Sequence, residues 1–513
     1  MLTGRHLGAS LGAALCALAV LASLVPGTSA PGGAAIATAA PKGDSKPTKA
    51  ERRQQRLRKM RRANRAQQRP NVVVVMTDDQ NESMMGLDTT VRLLGGRGTT
   101  FDNSYVSFPL CCPSRATFLT GQYSHNHGVF STELPNGYNG LNHANTLPVW
   151  LRTSGYRTAL VGKYLNGYGI DDGVAEPVSD AKEIPPGWSE WYGLTGGLEQ
   201  RRYKYKLNEN GRIRYYKRGP KNYVTDVLAA KAIDFVKRQA PRPKPFFLWF
   251  TPTAPHGEAG RPIGATRDPE PALRHLGRYE SSTAPRPPNF DEADVSDKPE
   301  PVAESPRLSS EDKADIDRRY RGRLESLLSV DDAVKRIVGR LKKAGDKRRT
   351  YIFFTSDNGL LLGAHRLLFK NYLYEEALRV PLIVRGPAFP AGVVRHQPVS
   401  NVDLAPTIAE LAGATPGLAM DGRSLLPVAA NAGYGIGRPL LFESNTYTSS
   451  AGIRSGNWVY LNNGPANTPE LYDLASDPFQ LESLHSDPSY NAIRNQLSTR
   501  LAQLRTCAGF TCP

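Results

Sequence analysis

Asn71-Val72-Val73-Val74-Val75-Met76-Thr77-Asp78-Asp79-Gln80 is the stretch on which the fold turns. Its apolar residues do not alternate with polar ones, so the segment has no solvent face. A continuous β-branched run of this length reads as a strand buried on both faces, the pattern of a parallel sheet between helix layers. The run ends in two adjacent carboxylates. At the C-terminal end of a central strand such a pair is costly unless a cation neutralises it. In open α/β sheets that edge is also where ligands bind. Capping of a helix is the other use of aspartate at such a place.

Three further runs repeat the design. Arg157 to Val161 is a strand candidate that runs into Gly162-Lys163. Phe246-Phe247-Leu248-Trp249-Phe250 delivers Thr251-Pro252-Thr253-Ala254-Pro255-His256-Gly257 to the same edge. Tyr351-Ile352-Phe353-Phe354 ends in Thr355-Ser356-Asp357-Asn358-Gly359. Asp78, Asp79, Asp357 and the Asn358 side-chain carbonyl make an all-oxygen set, which suits a hard cation, Ca²⁺ or Mg²⁺, rather than zinc.

Helical spacing separates these runs. It covers 146–155, stopped by Gly155, then Val224 to Arg238, then 309–344 with Ser309 or Ser310 as N-cap. In the last, Tyr320, Leu324, Leu327, Val334, Ile337, Val338 and Leu341 fall on one side and predict packing against the sheet. Asp331 and Asp332 read as solvated rather than catalytic. Residues 170–222 show no site. Residues 258–308 have neither period, and a loop that long in a compact domain is a lid or an insertion; its place after His256 makes it a wall of the site. From about 396 the chain turns to short strands and a final helix near 490–504, which predicts a smaller sheet with a helix on it.

Cys111-Cys112-Pro113-Ser114-Arg115-Ala116-Thr117-Phe118-Leu119-Thr120-Gly121 reads locally as a cysteine pair at the head of a helix, with Pro113 near its first position. As a whole it resembles the signature of the type I sulfatases, C-x-P-S-R-x-x-x-L-T-G. The resemblance continues through Gly162-Lys163-Tyr164-Leu165-Asn166, Thr251 to Gly257, Lys370-Asn371-Tyr372-Leu373-Tyr374-Glu375-Glu376 and Arg379 to Pro387. It covers about residues 70–485. The Cys-Cys-Pro-Ser-Arg and Gly-Lys-Tyr-Leu-Asn forms are closest to the N-acetylglucosamine-6-sulfatase branch.

The resemblance implies an alkaline-phosphatase-like α/β fold: a large mixed, mostly parallel sheet flanked by helices. It implies hydrolysis of sulfate monoesters of sugars or aryl alcohols. The nucleophile would be Cα-formylglycine, made from Cys111 by a formylglycine-generating enzyme. Asp78, Asp79, Cys111, Asp357 and Asn358 would surround the metal, usually calcium in that family. Arg115 and Lys163 would hold the sulfate, and His256 or Lys370 would protonate the leaving group. His127, Asn166 and His365 are candidates for substrate contact. Many arylsulfatases carry Trp-His after the Gly-Lys; this chain has Tyr164-Leu165, and Asn166 is the candidate replacement for the missing histidine.

The 513 residues suffice for a large core and two domains. The net charge of +17 is mostly a tail: twelve Lys/Arg against Asp44 and Glu51 in 41–70 give +10, Arg5 adds one, and +6 remains for 71–513. That distribution argues against a nucleic-acid-binding domain; basic runs are solvated linkers or arms for polyanions. Arg5, an apolar Leu11 to Val25 and small residues after it read as an export signal, cleaved after Ala30 or near Ala39. The run is short for a membrane span of ~20 residues. A secreted or cell-envelope protein follows, without a transmembrane segment once the signal is removed. Cys507 and Cys512 are then expected to form a disulfide loop, with a metal pair as the alternative. The expected organisation is 1–39 signal peptide, 40–70 basic linker, 71–395 catalytic domain and 396–513 C-terminal subdomain. Two other functions stay open on sequence: a phosphonate or phosphate ester hydrolase, and a non-catalytic polyanion-binding surface protein.

Overall fold

In a computed structural model, the structure describes residues 69–133, 136–170, 179–197, 201–259, 266–447, 450–464 and 468–513. The expected signal peptide and nearly all of the basic linker lie outside the described residues. The elements that build the frame are, in chain order, β1 (Asn71–Thr77), α1 (Asp88–Leu93), β2 (Thr99–Phe101), α2 (Cys111–Thr120), α3 (Leu147–Thr153), β3 (Arg157–Gly162), β4 (Glu190–Thr195), β5 (Tyr205–Glu209), β6 (Arg212–Tyr216), α4 (Val224–Gln239), β7 (Phe246–Thr251), α5 (Ser310–Ala344), β8 (Thr350–Ser356), β9 (Leu382–Arg385), β10 (Val393–Arg395), α6 (Leu404–Ala412), β11 (Leu440–Glu443), β12 (Ala451–Ser455), β13 (Trp458–Asn462), β14 (Glu470–Asp473) and α7 (Asn491–Leu504).

Ten strands form one mixed sheet in the order β10-β2-β9-β8-β1-β7-β3-β4-β5-β6. The five at its centre, β8, β1, β7, β3 and β4, run parallel. The flanks turn antiparallel at β8–β9 and β4–β5. All seven residues of β1 are buried. Val72, Val74 and Met76 face a core built with α2, α3 and α6, and Val73 and Val75 face one built with α4 and α5. Helices therefore cover both faces, which is why the sequence of β1 has no polar alternation.

The 35-residue α5 spans about 50 Å. Ser309 and Asp312 cap it reciprocally, each side chain accepting from the other's backbone N–H. Its Asp331 is only partly exposed. It accepts from Thr89 N at 3.1 Å, and from Thr90 N and Thr90 Oγ1 at 2.6 and 2.7 Å. The first N–H groups of α1 have no partner inside their own helix, and this carboxylate supplies one from across the packing interface. Asp332 is the more exposed of the pair and bonds Arg274 and His275.

Toward the C-terminus β11-β12-β13-β14 form a separate antiparallel sheet. Leu497, Leu501 and Leu504 of α7 pack on it with Ile453, Tyr460 and Leu471. A disulfide joins Cys507 and Cys512. This terminal loop is clamped to the segment that leaves α2: His125 places Nδ1 2.8 Å from Glu443 Oε1 and Nε2 2.8 Å from the Cys507 carbonyl. Both ring nitrogens face acceptors, so the arrangement favours the imidazolium. Burial opposes that charge, but Glu443 outweighs burial and holds the pKa above its usual value.

The clamp's contribution to stability is thus complete below the unfolded histidine pKa and is lost as pH rises through the raised folded value. The Tm advantage of wild type over His125→Gln should shrink as pH rises above the unfolded histidine value of about 6.5. A pH-independent difference in calorimetric scans would remove the charge from this account.

Candidate active site

Every element of the site ends at one edge of the parallel sheet. β1 delivers Asp78 and Asp79, and β8 delivers Asp357 and Asn358; backbone hydrogen bonds from Asp357 N to Thr77 O and from Asp78 N to Ala254 O stitch the strand ends together. β3 delivers Lys163 through Gly162, whose φ of +129° is open to glycine alone; a Cβ there would lie 2.0 Å from Thr251 O. Helix α2 starts with Cys111 and places Arg115 one turn later, both buried. Partial positive charge at that helix N-terminus favours anions beside Cys111.

The charges interlock. Lys163 Nζ lies 2.8 Å from Asp78 Oδ2, off the direction of a hydrogen bond, and Arg115 Nη2 lies 3.5 Å from the same oxygen. Arg115 Nε donates to Asp357 Oδ2 at 2.8 Å, and its Nη1 donates to Lys163 O at 2.8 Å. Lys370 Nζ donates to Asp79 Oδ1, and to Cys111 Sγ at 2.9 Å. Cys111 Sγ also lies 3.5 Å from Asp78 Oδ1. His256 points Nε2 at Asp79 Oδ2 from 3.4 Å, while its Nδ1 donates to Gly257 O at 2.5 Å. Asp79 itself holds a φ of +67°, a left-handed backbone that turns its carboxylate back into the cluster.

Burial raises the cost of each charge, and the neighbours decide the outcome. Around Asp78, burial is outweighed by Lys163, His256 and Arg115, which hold its carboxyl well below the usual range. Lys370 is likewise held well above the lysine range, chiefly by Asp79 against burial. Asp357 goes the other way: burial and Asp78 push it up. The Cys111 thiol is pushed far up by burial, despite Lys163 and Lys370. As a cysteine it is protonated and a poor nucleophile.

One ligand atom from each of Asp78, Asp79, Cys111 and His256 lies within 4.8 Å of the others. Asp78 Oδ2 and Asn358 Oδ1 are buried oxygens on which no hydrogen-bond donor is aligned among the described residues. Orphaned buried acceptors of this kind fit a cation. Asn358 Nδ2 meanwhile donates to Asp79 Oδ1 at 2.7 Å, which fixes the side chain with its carbonyl oxygen free to coordinate.

The three substrate-contact candidates have partners elsewhere. His127 bonds Thr117 Oγ1 at 3.1 Å and accepts from Val129 N; burial pulls its pKa to about 3, so the ring is neutral. Asn166 meets Cys112, donating its N–H to Sγ at 2.9 Å. His365 is buried with Nδ1 2.6 Å from Glu292 Oε2. Two residues that sequence reasoning missed support the site from behind. Arg323 of α5 is buried and donates to the carbonyls of Asp79 and Pro255. Arg202 donates to Thr253 Oγ1, Thr253 O and His256 O, holding the loop that carries His256. The signal for Arg323 was a lone arginine inside the apolar stripe of 309–344; Arg202 left no signal.

The profile described as Sulfatase matches residues 70–414, and that described as N-sulphoglucosamine sulphohydrolase, C-terminal, matches residues 363–507. The chain is 34% identical to the N-acetylglucosamine-6-sulfatase of Homo sapiens over 86% of this chain and 86% of that one. The protein BT4656, solved in complex with its substrate D-glucosamine-2-N,6-O-disulfate, superposes with a TM-score of 0.70 at 26% identity, over 85% of this chain and 97% of the other. The phosphonate monoester hydrolase of Agrobacterium radiobacter has the same fold, with a TM-score of 0.65 at 22% identity over 85% and 95%.

Arg323→Met leaves two buried carbonyls without a donor. It should lower stability by about 1–3 kcal/mol in urea unfolding and reduce turnover, because the Asp79 turn loses its anchor. Full activity with unchanged stability would deny it that role.

Proposed function

Given that the chain belongs to the sulfatase family, we propose that this sulfuric ester hydrolase removes sulfate from a sugar, through Cα-formylglycine made from Cys111 by a formylglycine-generating enzyme and with a divalent cation bound beside it. The observation that carries the reading is the setting of Cys111. It opens a helix, sits against two lysines and Asp78, and is protonated as a thiol, so conversion to another nucleophile gives the position its use. The sugar is supported by relatives named N-acetylglucosamine-6-sulfatase at 34% identity.

Asp78, Asp79, Asp357 and the Asn358 carbonyl would hold the cation, with Ca²⁺ or Mg²⁺ suited to those oxygens. When bound, it draws charge from the sulfate and lowers the pKa of the nucleophile's hydroxyl. The protein's own groups do the rest. Arg115 and Lys163, fixed by buried ion pairs, neutralise the remaining sulfate oxygens, and such preorganised charge stabilises a transition state without reorganisation. Arg115 is itself oriented by Asp357 and by the Lys163 carbonyl, so anion binding and metal binding share one scaffold. Lys370 carries a proton beside Cys111 and can hand it to the departing sugar oxygen; His256 aims Nε2 into the same space. A formylglycine diol at position 111 would supply two hydroxyls: one would bond to sulfur as the S–O bond to the sugar breaks, and loss of the other's proton would expel sulfate and return the aldehyde, which water rehydrates, so the reaction would divide into two steps.

We also propose that the protein is secreted or held at the cell envelope, and that the chain divides near residue 395 into a catalytic and a C-terminal part. No helix among the described residues is long and apolar enough to cross a membrane. Two relatives are named extracellular sulfatases.

Mass spectrometry of tryptic peptide 98–115 from the native host should find an aldehyde at Cys111. Cys111→Ala should fold normally and lose turnover, and Cys112→Ala should keep the modification. Lys163→Ala should cost ~100- to 1,000-fold in kcat. Titration of chelator-treated protein should show one Ca²⁺ or Mg²⁺ site that Asp78→Asn weakens. Sugar 6-sulfates and aryl sulfates should be cleaved in preference to aryl phosphates and phosphonates; the reverse preference would move the enzyme to the phosphonate hydrolases. Full activity in Cys111→Ala would end the formylglycine reading.

A further inference from the structure

Between α4 and the C-terminal half of α5 runs a groove of about 810 Å³. At one end its charges are balanced, because Arg274 bonds Asp226 at 2.6 and 2.8 Å and Asp332 at 3.2 and 3.3 Å. Beyond that point the lining is cationic: Lys335, Arg336, Arg340 and Lys343. Among the described residues none of the four makes an ion pair, and among them the buried Arg340 Nε has no hydrogen-bond partner.

The other half of the same helix is built differently. There Lys313 pairs with Asp291 at 2.8 Å, Arg318 with Asp268 and Asp315 at 2.5 Å, and Arg319 with Asp268 at 3.7 Å. An ordinary solvated helix face interleaves its charges in that way. Arg336, Arg340 and Lys343 instead fall on one stripe at helical spacing, where like charges repel. The helix dipole accounts for cations in the last turn only, which leaves Lys335, Arg336 and Arg340 unexplained.

Gly339 lies in the middle of that stripe and also lines the groove. A Cβ at this position would meet no heavy atom within 4 Å. Packing therefore does not exclude a side chain, yet glycine inside a helix costs ~1 kcal/mol relative to alanine. What the glycine preserves is open space between the cations.

We propose that this groove is a second, non-catalytic binding surface for a sulfated polysaccharide chain, resting on the sugar-sulfate reading above. Guanidinium groups present planar donor forks that suit sulfate oxygens, and the unpaired cations supply the complementary charge. The groove is remote from the nucleophile. Arg323 reaches the Asp79 turn, and Arg340 lies seventeen positions further along α5, about 25 Å away. A monosaccharide cannot reach both places. A polymer engaging both would hold its sulfates near Cys111 at raised effective concentration.

The test uses the full chain with Lys335, Arg336, Arg340 and Lys343 all replaced by Gln, and separately Gly339→Glu, which sets a carboxylate in the groove without a clash. The basic segment 41–69 is unchanged in both, so it cannot account for a difference. Heparin is the probe, titrated at several salt concentrations. The expected result is a heparin Kd weaker on the order of tenfold or more, with a shallower salt dependence. The kcat/KM on a small sulfate ester should be unchanged, and that on a sulfated polymer should fall. Unchanged heparin affinity in both variants would overturn the proposal. Equal loss of affinity for heparin and for duplex DNA of matched charge would overturn the sulfated-polysaccharide assignment, leaving a general polyanion surface. If wild type cleaves no sulfate ester, the proposed function has failed, and the heparin titration still decides the groove.

Discussion

A carboxylate with no solvent has to be neutralised where it stands, and Asp78 at the end of β1 sets that requirement for the whole site. Lys163 at 2.8 Å and Arg115 at 3.5 Å meet it. Breaking one partner of such a pair would strand a buried charge, typically at ~3–5 kcal/mol. The groups that answer Asp78 come from different elements: β3 brings Lys163 and α2 brings Arg115. Neutralising one carboxylate therefore fixes how a strand and a helix sit against β1. Cys111 is held at the mouth of that arrangement because it shares α2 with Arg115.

The cluster also balances as a unit. Asp78, Asp79 and Asp357 oppose Arg115, Lys163 and Lys370. Three negative charges against three positive ones leave the site near neutrality. A divalent cation added to it makes the pocket net positive, the sign an anionic ester requires. Backbone geometry is held from outside the cluster. Arg323 grips the carbonyl of Asp79, whose left-handed φ would otherwise be free to relax, and Arg202 grips the loop of His256. Both guanidiniums are buried and donate to backbone carbonyls, so each acts through the main chain that it holds.

Much of the frame was legible in the chain. Val72 to Met76, Phe246 to Phe250 and Tyr351 to Phe354 announced buried parallel strands because a strand covered on both faces tolerates no polar position. The helix at 309–344 announced its cap and its sheet-facing stripe. The eleven residues from Cys111 to Gly121 were legible for another reason: Cys111, Arg115 and the capping Gly121 lie within three turns of one helix, so local order preserves their spatial order. The capping role of Asp331 was not legible because its partners, Thr89 and Thr90, lie more than 240 positions away. A carboxylate on a helix looks solvated until the element that it caps is known.

What the sequence determined by itself is the set of strands, the end of each strand that carries charge, and the helix that presents Cys111. These depend on periodicity and on neighbours a few residues apart. Only the tertiary structure decided which cation answers which carboxylate, that Arg323 and Arg202 hold the backbone of the site, and that His125 ties Glu443 to the terminal disulfide loop. The physical reason is range. Burial and pairing energies belong to contacts across 250 or more positions at Asp79 to Asp357 and Asp79 to Lys370, and no local pattern records which distant group will arrive.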